Sequence, residues 1–226
     1  MHTSASLEEI YSRLLEHFGP QNWWPGDTPF EIMVGAILTQ NTNWGNVEKA
    51  IANLQTKGLL SLEAMSALST EHLAEHIRPA GYYRIKAGRL ENLLAMIHQQ
   101  WEGDLEYLLD QPLPVLREQL LGVKGIGPET ADSILLYAAE KPIFVVDTYT
   151  HRILSRHAII PEEYDYFQIQ EVFMDNLSED TALFNEYHAL LVQTGKYFCK
   201  KSKPKCTDCP LAGMGGVMNW SELKCH

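Results

Sequence analysis

The spacing of apolar and polar positions is helical along almost the whole chain. Residues 7–18, Tyr83–Trp101 and Thr181–Tyr197 each repeat apolar side chains at three- and four-residue intervals, the mark of a helix with one buried face. Pro29–Leu38 is apolar on every side, which predicts a helix with little solvent contact. Residues 46–54 continue as a helix that stops near Gly58, and Ser61 and Ser69 stand where N-caps would start two short helices. Residues 116–121 and 128–139 predict two more, and 148–157 and 166–177 complete the set. Residues 143–146 are apolar and β-branched but have no second strand to pair with. The pattern predicts an all-α protein without internal repeats.

Between two of these helices lies Gly122-Val123-Lys124-Gly125-Ile126-Gly127, followed by Pro128, which suits the first turn of a helix. Gly125 and Gly127 permit positive φ and leave the backbone bare, while Ile126 can turn inward and pin the loop. The N–H groups of such a turn point outward and attract a phosphate oxygen. Lys124 and Thr130 flank the same surface. Backbone donors read no base sequence, so the loop would suit any DNA strand. A tight turn between helices explains the pattern equally well without a ligand. Asp147 follows Glu129 by eighteen residues, after the apolar run and at the start of a helix. There an aspartate is a good N-cap. It can also stabilise positive charge on a sugar and orient water. The two roles are compatible.

The net charge of −11 argues against a nucleic-acid partner, because DNA binders usually carry a basic face. Local charge differs: Lys196, Lys200, Lys201, Lys203 and Lys205 come without an intervening acid. They form either a patch for phosphates or a solvated tail. No apolar run approaches the roughly 18 residues of a membrane span, and Met1-His2-Thr3-Ser4 lacks a signal-peptide layout. The expectation is a cytoplasmic, nucleoid-associated monomer with no membrane contact and no nucleotide cofactor. Cys199, Cys206, Cys209 and Cys225 cluster at the end of the chain, where thiolates suit a [4Fe–4S] cluster or a zinc ion better than disulfides.

The segment 121–132, read Leu-Gly-Val-Lys-Gly-Ile-Gly-Pro-Glu-Thr-Ala-Asp, resembles the helix-hairpin-helix of endonuclease III-type (HhH-GPD) DNA glycosylases. Residues 145–152, Val-Val-Asp-Thr-Tyr-Thr-His-Arg, resemble the family's catalytic aspartate segment, and residues 28–42 its second helix and following loop. The first three cysteine spacings resemble its iron–sulfur motif, although Cys225 comes later than the family's fourth ligand. The resemblance implies two helical lobes, a six-helix lobe over residues 22–141 and a second lobe from 1–21 plus 142–226, with double-stranded damaged DNA held between the hairpin and Asp147.

Members that also cut the strand carry a lysine in the helix after the hairpin, and Glu129 stands there instead. A carboxylate cannot form a Schiff base, so the resemblance implies a monofunctional enzyme in which Asp147 activates water. Glu129 would hold that water or support Asp147, or would face solvent as a first-turn acid. The departure shifts the likeness toward the branch that removes alkylated purines, the 3-methyladenine glycosylase III or methylpurine glycosylase II type. Trp23, Trp24, Pro25 and Trp44 then offer an electron-rich slot for a cationic base, and Lys196 resembles a pocket lysine of that branch. Gln40 would fill the gap left by the flipped nucleotide, or cap its own helix. The other readings are an endonuclease III-type enzyme acting on oxidised pyrimidines or mismatches, and a non-catalytic DNA-binding protein with an iron–sulfur cluster.

Overall fold

The computed structural model describes residues 2–23 and 26–214; Trp24, Pro25 and Cys225 lie outside the described residues. In chain order the helices are α1 (His2–Phe18), α2 (Pro29–Leu38), α3 (Trp44–Thr56), α4 (Leu62–Ser66), α5 (Thr70–His76), α6 (Tyr83–Trp101), α7 (Leu105–Asp110), α8 (Leu113–Gly122), α9 (Pro128–Ser133), α10 (Thr148–Arg156), α11 (Tyr166–Met174) and α12 (Thr181–Tyr197). Short 3-10 turns occupy Arg78–Ala80 and Cys206–Asp208, and a π-helical turn occupies Ile134–Ala138. No β-strand occurs among the described residues. The chain divides into two compact units, Met1–Trp23 with Pro142–His226, and Trp24–Lys141.

In the Trp24–Lys141 unit α2 is the axis. Every one of its residues except Pro29 and Ala36 is buried, which is why its sequence lacks a polar face. It packs against α3, α6, α9 and the π-helical turn. The side chain of Thr28 starts it by accepting from Glu31 N at 3.1 Å. Ser61 and Ser69 cap α4 and α5 as their positions predicted.

Two expectations need correction here. The helix expected over residues 128–139 turns into the π-helical segment at Ile134, where Ala139 N reaches back to Ile134 O at 3.1 Å. All five residues of the wider turn are buried, so the change of pitch serves packing against α2 rather than solvent. Helix α7 was not anticipated. Its signal was Asp104, whose carboxylate accepts from Tyr107 N at 2.8 Å, and the helix is too short for periodicity to reveal.

In the other unit, the buried faces of α1, α11 and α12 surround the apolar run before α10. Phe144 stacks on Phe173 with ring centroids 3.6 Å apart and meets Phe184 and Tyr187 edge-on. Leu7, Ile10 and Leu14 of α1 are fully buried. Tyr187 donates its hydroxyl to Leu7 O at 2.8 Å. Residues 143–146 are buried without a strand partner. Gln170 of α11 supplies part of the missing ladder by donating to Phe144 O at 2.7 Å.

Candidate active site

The hairpin is built by its neighbours as much as by its own glycines. Arg117 of α8 and Asp132 of α9 form a two-pronged ion pair at 2.7 and 3.0 Å, with the aspartate fully buried, and so tie together the helices on either side of the loop. Gly125 has φ +100, and a Cβ there would lie 2.5 Å from Arg89 Cγ, so both backbone and space demand glycine. Gly127 differs from expectation: its φ is −98, open to any residue, and a Cβ would meet nothing within 4 Å. Its lack of a side chain leaves open room on the outer face. Ile126 is buried and pins the loop, with its N–H bonded to Val123 O at 3.0 Å. The N–H groups of Gly125 and Gly127 meet no acceptor among the described residues.

Gln40 is bound into the hairpin. Its Nε2 donates to Gly125 O at 3.1 Å and to Thr130 Oγ1 at 2.9 Å, and its Oε1 accepts from Arg89. Neither self-capping nor a free side chain describes it. Thr130 is buried and serves Gln40, whereas Lys124 is exposed and its carbonyl accepts from Asn92 Nδ2 at 2.9 Å. Glu129 is exposed in the first turn of α9. Nothing local in the sequence pointed to Arg89, which meets Gln40 across 49 residues.

Asp147 caps α10 in its own unit. Oδ1 accepts from Thr150 N at 2.7 Å and from Thr150 Oγ1 at 2.9 Å. Oδ2 lies 3.6 Å from His188 Nε2 on α12, with both side chains nearly buried. Burial pushes the carboxyl pKa up, but His188 and the two Thr150 donors outweigh it, so the net shift is downward and the group is an anion at neutral pH. The cap role and a charged oxygen facing the next helix therefore coexist. The His188 ring in turn meets the half-buried ring of Trp23 at 6.3 Å. α10 and α12 can approach this closely because Gly195 has no side chain; a Cβ there would overlap the Tyr149 ring. Trp44 is the half-buried first residue of α3 rather than a loop residue, and Lys196 is exposed in the last turn of α12.

Residues 34–179 match the HhH-GPD superfamily of base excision DNA repair proteins. The chain belongs to this family. A Methanocaldococcus jannaschii protein, provisionally named as a DNA repair glycosylase, is 47% identical over 91% of this chain and 93% of its own. Endonuclease III of Thermotoga maritima is 28% identical over 96% and 99%. The crystal structure of H. pylori 3-methyladenine DNA glycosylase bound to 1,N6-ethenoadenine has a TM-score of 0.73 and 30% identity, covering 86% of this chain and 97% of that one. A non-covalent endonuclease III–DNA complex shares the fold, with a TM-score of 0.81 at 23% identity over 96% of both chains. The protein is a base-excision-repair DNA glycosylase with DNA as its partner. No described helix is long and apolar enough to cross a membrane.

In this glycosylase the loop after α12 is fastened to α10 by two arginines. Arg152 Nε donates to Cys199 O at 2.7 Å, and Arg156 donates to Lys200 O at 2.8 Å, to Lys201 O at 3.2 Å and to Cys199 Sγ at 3.4 Å. Cys199, Cys206 and Cys209 line one recess with Arg156, His157 and Phe198. Burial raises the Cys209 thiol to about 11, and the neighbouring Cys199 and Cys206 add to the rise. Among the described residues, no three His, Cys, Asp or Glu side chains are placed to hold a single metal ion.

Proposed function

We propose that this glycosylase is monofunctional and hydrolyses the N-glycosidic bond of alkylated purines, 3-methyladenine and 7-methylguanine among them, flipped out of duplex DNA. The observation that carries the proposal is Asp147: an anion held through one oxygen by Thr150, with the other oxygen 3.6 Å from His188 Nε2. In the proposed step the C1′–N bond breaks and the base leaves with the electron pair, so a cationic alkylpurine departs neutral. The carboxylate stabilises the positive sugar. Water then bonds to C1′ and its proton passes to Asp147. Glu129 supplies no amine for a Schiff base and supports the hydrolytic reading over strand cleavage. The 30% identity to a 3-methyladenine glycosylase supports the lesion class. Trp23, Trp24 and Trp44 are the aromatic candidates for the base slot, Pro25 a further candidate, and Lys196 a candidate for its rim. The bare N–H groups of Gly125 and Gly127, beside Lys124, are the candidates for phosphate.

Cys199, Cys206 and Cys209, completed by Cys225, are proposed to hold a [4Fe–4S] cluster. The recess lined by Cys199, Cys206 and Cys209 is the candidate place for it. When bound, the cluster would cross-link the loop; base removal requires no redox step.

The test offers duplexes carrying 3-methyladenine, 7-methylguanine, thymine glycol or a G·T mismatch and scores base release with and without alkali. Release of the alkylated purines with nicks only after alkali is expected. Nicks without alkali, or release of thymine glycol alone, would favour the endonuclease III-type reading, and binding without release a non-catalytic role. Asp147→Asn is expected to bind damaged duplex and release nothing. Iron with absorbance near ~400 nm is expected in the purified protein, and equimolar zinc without iron would reject the cluster.

A further inference from the structure

Among the described residues, Thr150 holds one oxygen of Asp147 by hydrogen bonds and His188 stands beside the other. Thr150 takes Oδ1 through both its N–H and its hydroxyl, and among the described residues the titratable side chain that lowers the carboxyl beside those two donors is His188. His188 stands on α12, 41 positions away in sequence, yet its Nε2 is 3.6 Å from Oδ2. Neither side chain is open to solvent, at 12% exposure for Asp147 and 8% for His188. The other charged or titratable groups of α10 and α12 have partners of their own or face solvent: Arg156 donates to Lys200 O, and His151 Nε2 lies 2.9 Å from Glu162 O. Glu186 of α12 accepts from Gln21 N at 2.6 Å and Asn22 N at 3.4 Å, Arg152 of α10 donates to Cys199 O, and Lys196 is exposed. Tyr187 is committed to Leu7 O. The Trp23 ring lies 6.3 Å from the imidazole, centroid to centroid.

We infer that His188 is a positioning residue for the reaction: it presents an Nε2 proton to Oδ2 of Asp147, keeps the buried carboxylate ionised and sets the direction in which that oxygen faces the sugar. The inference rests on the reading of Asp147 as the catalytic carboxylate. The separation of 3.6 Å is longer than a hydrogen bond, so the contact restrains Oδ2 without consuming it. An oxygen bound as tightly as Oδ1 would be a poor acceptor for the proton of water. The asymmetry therefore divides the carboxylate into an anchored oxygen and a working one. Without His188, burial would act on Asp147 opposed only by Thr150, and the carboxyl would hold its proton to higher pH.

The experiment uses the full-length protein and compares His188→Phe, His188→Gln and Asp147→Asn with wild type. Three readings are taken: single-turnover release of 7-methylguanine across pH, affinity for duplex carrying an abasic analogue, and titration of the Asp147 carboxyl by isotope-edited NMR without DNA. In His188→Phe the single-turnover rate at neutral pH is expected to fall about a hundredfold with affinity unchanged, and the acid limb and the carboxyl titration both move to higher pH. His188→Gln keeps an N–H donor without the imidazole and is expected to recover part of the rate. It carries the test if the phenylalanine variant does not fold. A wild-type rate and an unmoved carboxyl titration in both His188 variants, with Asp147→Asn inactive, would overturn the role of His188 alone. Activity in Asp147→Asn would overturn the reading of Asp147 beneath it.

Discussion

Lys86 illustrates how a single side chain can be decided by its surroundings. It is 1% exposed, and its ammonium donates to Leu38 O and Ala80 O, both at 2.7 Å. It closes the C-terminal end of α2 just before Gln40. Burial, with a smaller contribution from the charge of Arg89, lowers its pKa from 10.5 to about 8. Between those values the folded chain has released a proton that the unfolded chain still holds, so stability rises with pH across the window. Urea unfolding at a series of pH values should show that rise in wild type and its loss in Lys86→Met. The variant should also be less stable at neutral pH by about 1–3 kcal/mol for each carbonyl left without its donor. In the sequence Lys86 is a polar residue on an amphipathic helix and reads as solvated; only the two carbonyls brought above it explain its burial. Gly125 was more legible, because a turn between helices asks for positive φ. Gly127 drew the same reading and does not use it.

At the scale of elements, two contacts hold the site's helices in place. Arg117→Met would remove the guanidinium from the buried Asp132 carboxylate and should cost about 3–5 kcal/mol in denaturant unfolding. Phosphate-backbone affinity should fall with it as the hairpin loosens. Gly195→Ala would force α10 and α12 apart at the Tyr149 ring and should cost about 1–3 kcal/mol. Tyr149→Ala in the same chain should restore much of that stability, and a double-mutant cycle measures the coupling. If the two substitutions are additive, the helices are not spaced by this contact. The long helices and the caps Ser61, Ser69 and Asp147 were readable from periodicity and side-chain type. The π-helical turn was not, because none of its residues breaks a helix, and the change of pitch answers to the packing of α2 against it.

At the scale of the molecule, the chain carries −11 yet binds a polyanion, so its basic residues must be concentrated. Lys196, Lys200, Lys201, Lys203 and Lys205 are all exposed around the end of α12 and the loop that follows. Replacing the last four with glutamine should weaken binding to damaged and undamaged duplex alike. The dependence of log affinity on log salt should become shallower by roughly 0.9 for each lysine that neutralises a phosphate. An unchanged slope would assign the phosphate contacts to other cations.

By itself the sequence determined the helical class, most helix boundaries, the glycine turn, the acid at the head of α10 and the cysteine-rich end, because each is encoded by residues within a few positions of one another. The order of those segments was enough to indicate the family. What tertiary structure alone decided is which distant side chains meet them: Arg89 and Gln40 on the hairpin, His188 at Asp147, Gln170 at Phe144, and the arginines of α10 on the cysteine loop. Such pairs span tens of residues and leave no periodic trace. They exist because burial strips polar groups of water and each must find its partner in whatever element packing brings alongside.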